Sequence, residues 1–187
     1  MKHNCIASAL AAFLLFSSLA FAGERVAVWP KGKMPHRQEN QIAAMTDEAA
    51  QKGFKADKHR TAYIEWYDAP KADVRNGACM ILISGGGYNS CCDVKLVAGW
   101  AEKLTALGFQ CVNFVYRTPR PTGLPIWQTA WEDGQRAVRM VRKDAEKRGF
   151  DPEKIGTISM SAGSHLALLL GTSSQTKAYE PVDALDS

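Results

Sequence analysis

The chain has 187 residues and a formal net charge of +4, its 23 lysines and arginines interspersed with 19 aspartates and glutamates. Charges mixed in this way form no basic stripe for nucleic acid, and the length suits one domain with a sizeable core. There is no C-x-x-C pair, and His36, His59 and His165 are scattered, which speaks against a zinc site of the usual spacing.

Met1 to Ala22 starts basic at Lys2, continues as an apolar run from Ile6 broken only by small serines, and ends Ala20-Phe21-Ala22 before Gly23. This is the layout of a secretory leader with an A-x-A cleavage site. A membrane anchor is the rival reading, because the run is nearly long enough to span a bilayer. The cleavage site favours removal, so an exported, periplasmic or extracellular protein without stable membrane association is expected, with one domain over 23–187. Loss of the leader takes Cys5 and leaves Cys79, Cys91, Cys92 and Cys111. Cys79 and Cys111 fall in or beside apolar strand runs and read as core residues. Cys91 and Cys92 share a loop and are the pair open to oxidation in an exported chain, with the pairing left open.

Arg25 to Trp29 predicts a first strand, and the polar stretch after it a loop. Ile42 to Gln51 predicts a weak helix ending at Gly53. In "TAYIEWYDAP", Ala62, Ile64 and Trp66 alternate with Tyr63, Glu65 and Tyr67, a strand with two unlike faces. Ala78 to Ser84 is a continuous apolar run, as expected of a strand covered on both faces of a parallel sheet. It leads straight into Gly85, Gly86, Gly87 and Tyr88. Three glycines after a buried strand free the backbone to turn and present N–H groups to an anion; the bland alternative is a flexible loop. A phosphate loop is excluded because no lysine follows in the G-x-x-x-x-G-K-[ST] spacing.

Asp93 to Leu107 carries Leu96, Val97, Trp100, Ala101 and Leu104 at helical spacing, with Gly108 to stop it. Phe109 to Tyr116 predicts the next strand, followed by a loop stiffened by Pro119, Pro121 and Pro125. Ile126 to Arg148 is the longest predicted helix, with an apolar stripe through Trp127, Ala130, Trp131, Ala137, Val138, Val141 and Ala145. Its charges read as a solvated face. Asp133 is expected to bond locally, with no catalytic role. Trp66, Trp127 and Trp131 have the rings to stack on sugars, but their spacing favours core packing.

Lys154 to Gly171, "KIGTISMSAGSHLALLLG", reads as a short buried strand to Ser159, a sharp turn through Met160, Ser161, Ala162 and Gly163, and an apolar helix. Small residues around Ser161 allow the chain to reverse tightly, the geometry of a nucleophile elbow. Ser161 is the candidate nucleophile. The elbow pattern G-x-S-x-G has Ser159 in place of its first glycine, where strain is expected. His165 is four residues on, in the elbow helix, which carries its side chain away from the serine; packing is the expected role.

Together, "ISGGGY", "VAGWAEKLTALGF", "FVYR", "WEDGQRAVRMVR", "GFDPEKIG" and "SMSAGSHLA" resemble the α/β-hydrolase superfamily, and within it the secreted bacterial carbohydrate esterases of the acetylxylan-esterase type. The likeness covers about 63–184. It implies the α/β-hydrolase fold, a mostly parallel sheet with helices on both faces. It also implies a serine ester hydrolase acting through an acyl-enzyme on a small ester or acetylated carbohydrate, with no metal or organic cofactor. By the same likeness, backbone N–H groups of Gly86, Gly87 and Ala162 form the oxyanion hole and Ser161 is the nucleophile. A serine peptidase of the same fold is the rival within the class.

In that family the triad acid and histidine follow the serine. Asp183 and Asp186 lie too near the elbow helix to be that acid, and His36 and His59 precede the serine, so the acid and base are unassigned. The strand at Ile155, mid-sheet in the full fold, would here be an apolar edge. The expectation is therefore the N-terminal part of an esterase, truncated after the elbow helix. The contrasting expectation is a non-catalytic hydrolase domain.

Overall fold

A computed structural model describes residues 23–38, 41–43, 62–67, 70–91 and 94–187. The leader, His59, Cys92 and most of the expected 42–51 helix lie outside these residues. Five strands form one sheet in the order β1-β3-β5-β4-β7: β1 (Arg25–Ala27), β3 (Tyr63–Trp66), β5 (Gln110–Val115), β4 (Cys79–Ile83) and β7 (Ile155–Ser159). Two-residue strands β2 (Ile42–Ala43) and β6 (Arg117–Thr118) pair separately. Ile42 and Ala43 were expected to start a helix and Arg117–Thr118 to lie in a loop. Pairing across the chain overrides both local readings.

β4 runs parallel to both β5 and β7, whereas β1 on β3 and β3 on β5 are antiparallel. The expected parallel character thus belongs to the half of the sheet that carries the glycine loop and the elbow. Helices lie on both faces. Helix α1 (Val94–Ala106) covers one, where Val97 and Ala101 pack on Leu82 and Cys111. Helices α2 (Gln128–Lys143), α3 (Ala145–Arg148) and α4 (Ala162–Thr172) contribute Ala130, Ala137, Val141, Ala145 and Leu166 to the other core, with Ile81, Ile83, Val112 and Phe114. Each fully buried Val, Leu, Ile or Phe side chain among these stabilises the fold by about 1.5–3 kcal/mol, and an alanine methyl by less.

Three readings of the elements change. The β3 residues are buried on both faces, Glu65 included, because Glu65 accepts from Arg25 Nε at 2.6 Å. The predicted 126–148 helix is two helices that break at Asp144. Its charges are not all solvated: Glu132, Asp133 and Arg136 are buried. As expected, β7 is an edge strand, paired to β4 alone among the described residues and only half-buried.

Apart from Glu65, the buried charges gather in a network along α2, where the Arg117 and Arg136 guanidiniums both lie over the Trp29 ring. Asp133 accepts from Trp29 Nε1 at 2.6 Å, and from the Arg117 backbone N and Nε at 2.8 Å each. Arg117 also donates to Glu132 Oε2 at 2.9 Å and to the Pro35 carbonyl at 2.7 Å. His36 Nδ1 lies 2.6 Å from Glu132 Oε1. Burial alone would favour a neutral guanidine, yet Asp133 and then Glu132 hold Arg117 charged. One turn along α2, Arg136 donates to the Val28 carbonyl, Asp183 and Asp186, and so ties β1 and the C-terminal segment to the helix. Asp133 was expected to bond locally; its partners instead come from two distant segments, at Trp29 and Arg117.

Candidate active site

The site is assembled where β4 and β7 end side by side, their last residues Ile83 and Ser159 in register. Met160 donates its N–H back to the Ile83 carbonyl, and the chain then reverses at Ser161 and enters α4 at Ala162. Ser161 has φ 54° and ψ −122°. A serine in such a conformation costs about 1–3 kcal/mol and persists only where its surroundings enforce it. The enforcement comes from close backbone packing. A Cβ on Gly163 would stand 2.4 Å from the Ile83 carbonyl oxygen and 2.6 Å from that of Ser84; one on Gly85 would stand 2.9 Å from the Met160 oxygen and from Ser161 Cβ. Only glycines let the helix start and the glycine loop meet across the strand ends.

The strain expected at Ser159 is absent. Its φ is negative, and its hydroxyl is 3.4 Å from that of Ser164. The strain sits two residues later, on Ser161 itself. The Ser161 side chain is exposed, does not cap its helix, and has no hydrogen-bond partner among the described residues.

Gly86 (φ 131°), Gly87 (φ 60°) and Tyr88 (φ 61°) follow one another in the left-handed half of backbone space. The turn is closed by the N–H groups of Asn89 and Ser90, which both donate to the Gly86 carbonyl. Among the described residues no acceptor meets the N–H of Gly86, Gly87 or Ala162, which leaves these three donors available to an anionic oxygen. They belong to two loops that Gly85 holds in contact.

The other residues singled out from the sequence fall elsewhere. His165 is not packed in the core. Its ring is exposed, and Nδ1 lies 2.7 Å from the Tyr88 hydroxyl. Tyr88 itself is buried, and desolvation pushes its hydroxyl up to about 12. The sequence reading missed this pair, because the reach of Tyr88 depends on a positive φ that nothing in "GGGY" announces. Asp183 and Asp186 are occupied by Arg136, and Asp186 also accepts from Tyr179 at 2.5 Å. Cys91, expected to be open to oxidation with Cys92, is buried, and its sulfur lies within hydrogen-bond reach of the Tyr116 carbonyl. Cys79 and Cys111 are free and buried, and burial raises both thiols. Trp66 lies in the core with the Arg148 guanidinium 3.8 Å above its ring, and Trp127 and Trp131 are half-buried against the same core.

Comparison with known proteins gives this geometry a context. The BD-FAE family model matches residues 67–185. Endo-1,4-beta-xylanase B of Butyrivibrio fibrisolvens is 35% identical over 88 residues, 47% of this chain and 14% of that protein. Esterase LipQ of Mycobacterium tuberculosis is 29% identical over 117 residues, 62% of this chain and 27% of that protein. Among solved structures, an acetyl ester-xyloside bifunctional hydrolase from Caldicellulosiruptor lactoaceticus aligns with TM-score 0.59 and 23% identity, over 91% of this chain and 54% of that one. A thermophilic esterase from Thermogutta terrifontis aligns with TM-score 0.51 and 24% identity, over 62% of this chain and 42% of that one. These two likenesses establish the fold. The chain spans about half the length of the first structure and less of the curated relatives.

Proposed function

The chain belongs to the BD-FAE family, an α/β-hydrolase family with esterases among its relatives, and from that premise we propose that it is a carboxylic-ester hydrolase with Ser161 as nucleophile. The observation that carries the reading is the positive φ of an exposed, unpartnered serine beside three unclaimed backbone N–H groups. Ser161 Oγ attacks the ester carbonyl, its proton passes to a base, and the carbonyl oxygen becomes an oxyanion received by Gly86, Gly87 and Ala162. Collapse expels the alcohol and leaves an acyl-enzyme, which water hydrolyses to the acid and free serine. One donor of this type typically contributes about two to three powers of ten in rate. The residues in these roles ask for no metal or organic cofactor. The proposed substrate is an acetylated plant polysaccharide or oligosaccharide, in line with the xylan-related names of two similar proteins. The proposed setting is periplasmic or extracellular, following the leader at 1–22, with the catalytic domain over 23–187.

A second reading is a hydrolase domain that does not turn over on its own. It is favoured by the lack, among the described residues, of any histidine bonded to Ser161. Hydrolysis of a small chromogenic acetate ester by the purified chain, beside Ser161→Ala, separates the two. Activity lost in the variant supports the esterase; folded protein with no activity, or activity that survives the substitution, sinks the assignment of Ser161 in this chain. Cleavage of a peptide anilide in place of the ester would point to the peptidase alternative.

A further inference from the structure

We propose that Tyr88 and His165 form a clasp that holds the glycine loop against the elbow helix, making both of them positioning residues for the Gly86 and Gly87 N–H groups. The inference rests on reading Gly86 and Gly87 as oxyanion donors and adds the device that keeps them aimed. Three consecutive residues with positive φ make a loop that is left-handed throughout. Two of them are glycines and adopt it freely; Tyr88 does not, and its neighbours must hold it there.

Tyr88 has such neighbours on two sides. The Tyr88 ring is buried, its centroid 5.6 Å from that of Tyr116 and 5.9 Å from that of His165, the latter edge-on. The Tyr116 hydroxyl in turn donates to the Ser84 carbonyl, just before the glycines. At 2.7 Å, the hydroxyl–Nδ1 contact is the one side-chain hydrogen bond between residues 84–90 and α4 among the described residues. Because burial keeps the Tyr88 hydroxyl protonated, the two side chains share a hydrogen bond whichever ring nitrogen carries the imidazole proton. The His165 N–H donates to the Ser161 carbonyl, so the histidine is anchored in the first turn of the helix that begins at the nucleophile. The clasp therefore ties the loop carrying two proposed donors to the turn carrying the third donor and the serine. Movement of Tyr88 would carry Gly87 with it, and the two sets of N–H groups would cease to converge on one point.

The test uses Tyr88→Phe, which keeps the ring, and His165→Ala, singly and together. Amide exchange of Asn89 and Ser90, whose N–H groups close the loop, is followed by NMR on the whole chain. Each single variant is expected to speed it about fivefold, the effect of losing one ordinary hydrogen bond. The double variant should add little to either single one, because both remove the same bond. Unchanged exchange, or effects that simply add, would overturn the clasp. On the acetate ester, each single variant should lower kcat about tenfold with KM unchanged, less than the loss of a whole donor. Faster exchange with kcat intact would overturn the positioning role. If the wild-type chain has no Ser161-dependent hydrolysis, the esterase reading fails and the catalytic half of the proposal with it; the exchange rates still decide whether the clasp exists.

Discussion

The elbow and the charged network under α2 are held by opposite means. Around Ser161, order comes from backbone meeting backbone: Gly163 against the Ile83 and Ser84 carbonyls, Gly85 against Met160, with one side-chain hydrogen bond joining loop to helix. Around Arg117 and Arg136, order comes from long side chains, with Glu132 and Asp133 fully buried and with branches that reach Pro35, Val28 and the C-terminal aspartates. The contrast assigns different work to each. The strained, open turn leaves its polar groups without partners among the described residues, whereas the network engages its own in fastening the N-terminal and C-terminal segments to the fold.

The largest expected effect breaks the network. Arg117→Ala strands Glu132 and Asp133 in the core without their cation, and removal of one partner from a buried pair typically costs about 3–5 kcal/mol. Urea unfolding should show this loss, or no folded protein. An effect below about 1 kcal/mol, the range of exposed ion pairs, would mean that the network fastens nothing.

The elbow should break through space alone. Gly163→Ala places a methyl group 2.4 Å from one carbonyl oxygen and 2.6 Å from another. Overpacking of that kind costs about 1–3 kcal/mol, and relieving it requires α4 to back away from β4. Ser161-dependent hydrolysis should then fall more than stability does. Gly87→Ala sharpens the point, since no atom lies within 4 Å of the added Cβ but φ is +60°. Its cost, about 1–2 kcal/mol, is purely conformational. If melting temperatures rank Gly87→Ala as the worse of the two, close packing is not what shapes the elbow.

The same contrast explains what could be read from the sequence. Strands β4, β5 and β7 and helix α1 are apolar runs or stripes bounded by turn residues, and periodicity finds them. The tight turn of the elbow was legible because small residues allow a strand to reverse into a helix; such residues more often mean only close packing, and it was the ordered set of motifs around the turn that singled out Ser161 as the candidate. The network was not legible. Periodicity sorts side chains by polarity, and Glu132, Asp133 and Arg136 look solvent-facing until Arg117, Trp29 and Asp186 arrive from up to 104 positions away to meet them. β2 and β6 were missed for the same reason, since each exists only by pairing with the other. His165 was misjudged because burial and bonding were treated as one property; it is exposed and bonded.

The smallest effect concerns the C-terminal segment, where the network reaches the surface. Residues 176–186 lie along α2: Gln135 donates to the Thr176 carbonyl and accepts from the Ala178 N–H, Arg139 donates to the Tyr179 hydroxyl, and Arg136 holds Asp183 at 2.6 Å. The Arg136 hydrogen bond keeps the Asp183 carboxyl below its usual value of 3.8. A carboxyl lowered on folding contributes stability that is fully present above its unfolded value and is lost as pH falls through the folded one. Asp183 is solvent-exposed, so the contribution is screened and modest. Tyr179 is raised by burial first and by its bond to Asp186 second, and remains a protonated donor across this range. Release of the segment should therefore begin only below pH 4, earlier than any loss of the buried core. Limited pepsin cleavage within 174–187, followed between pH 5 and pH 2.5, should rise in that window, and Asp183→Asn should show the raised cleavage already at pH 5. Equal resistance of wild type and variant throughout would mean that Asp186 and the Gln135 bonds hold the segment without Asp183.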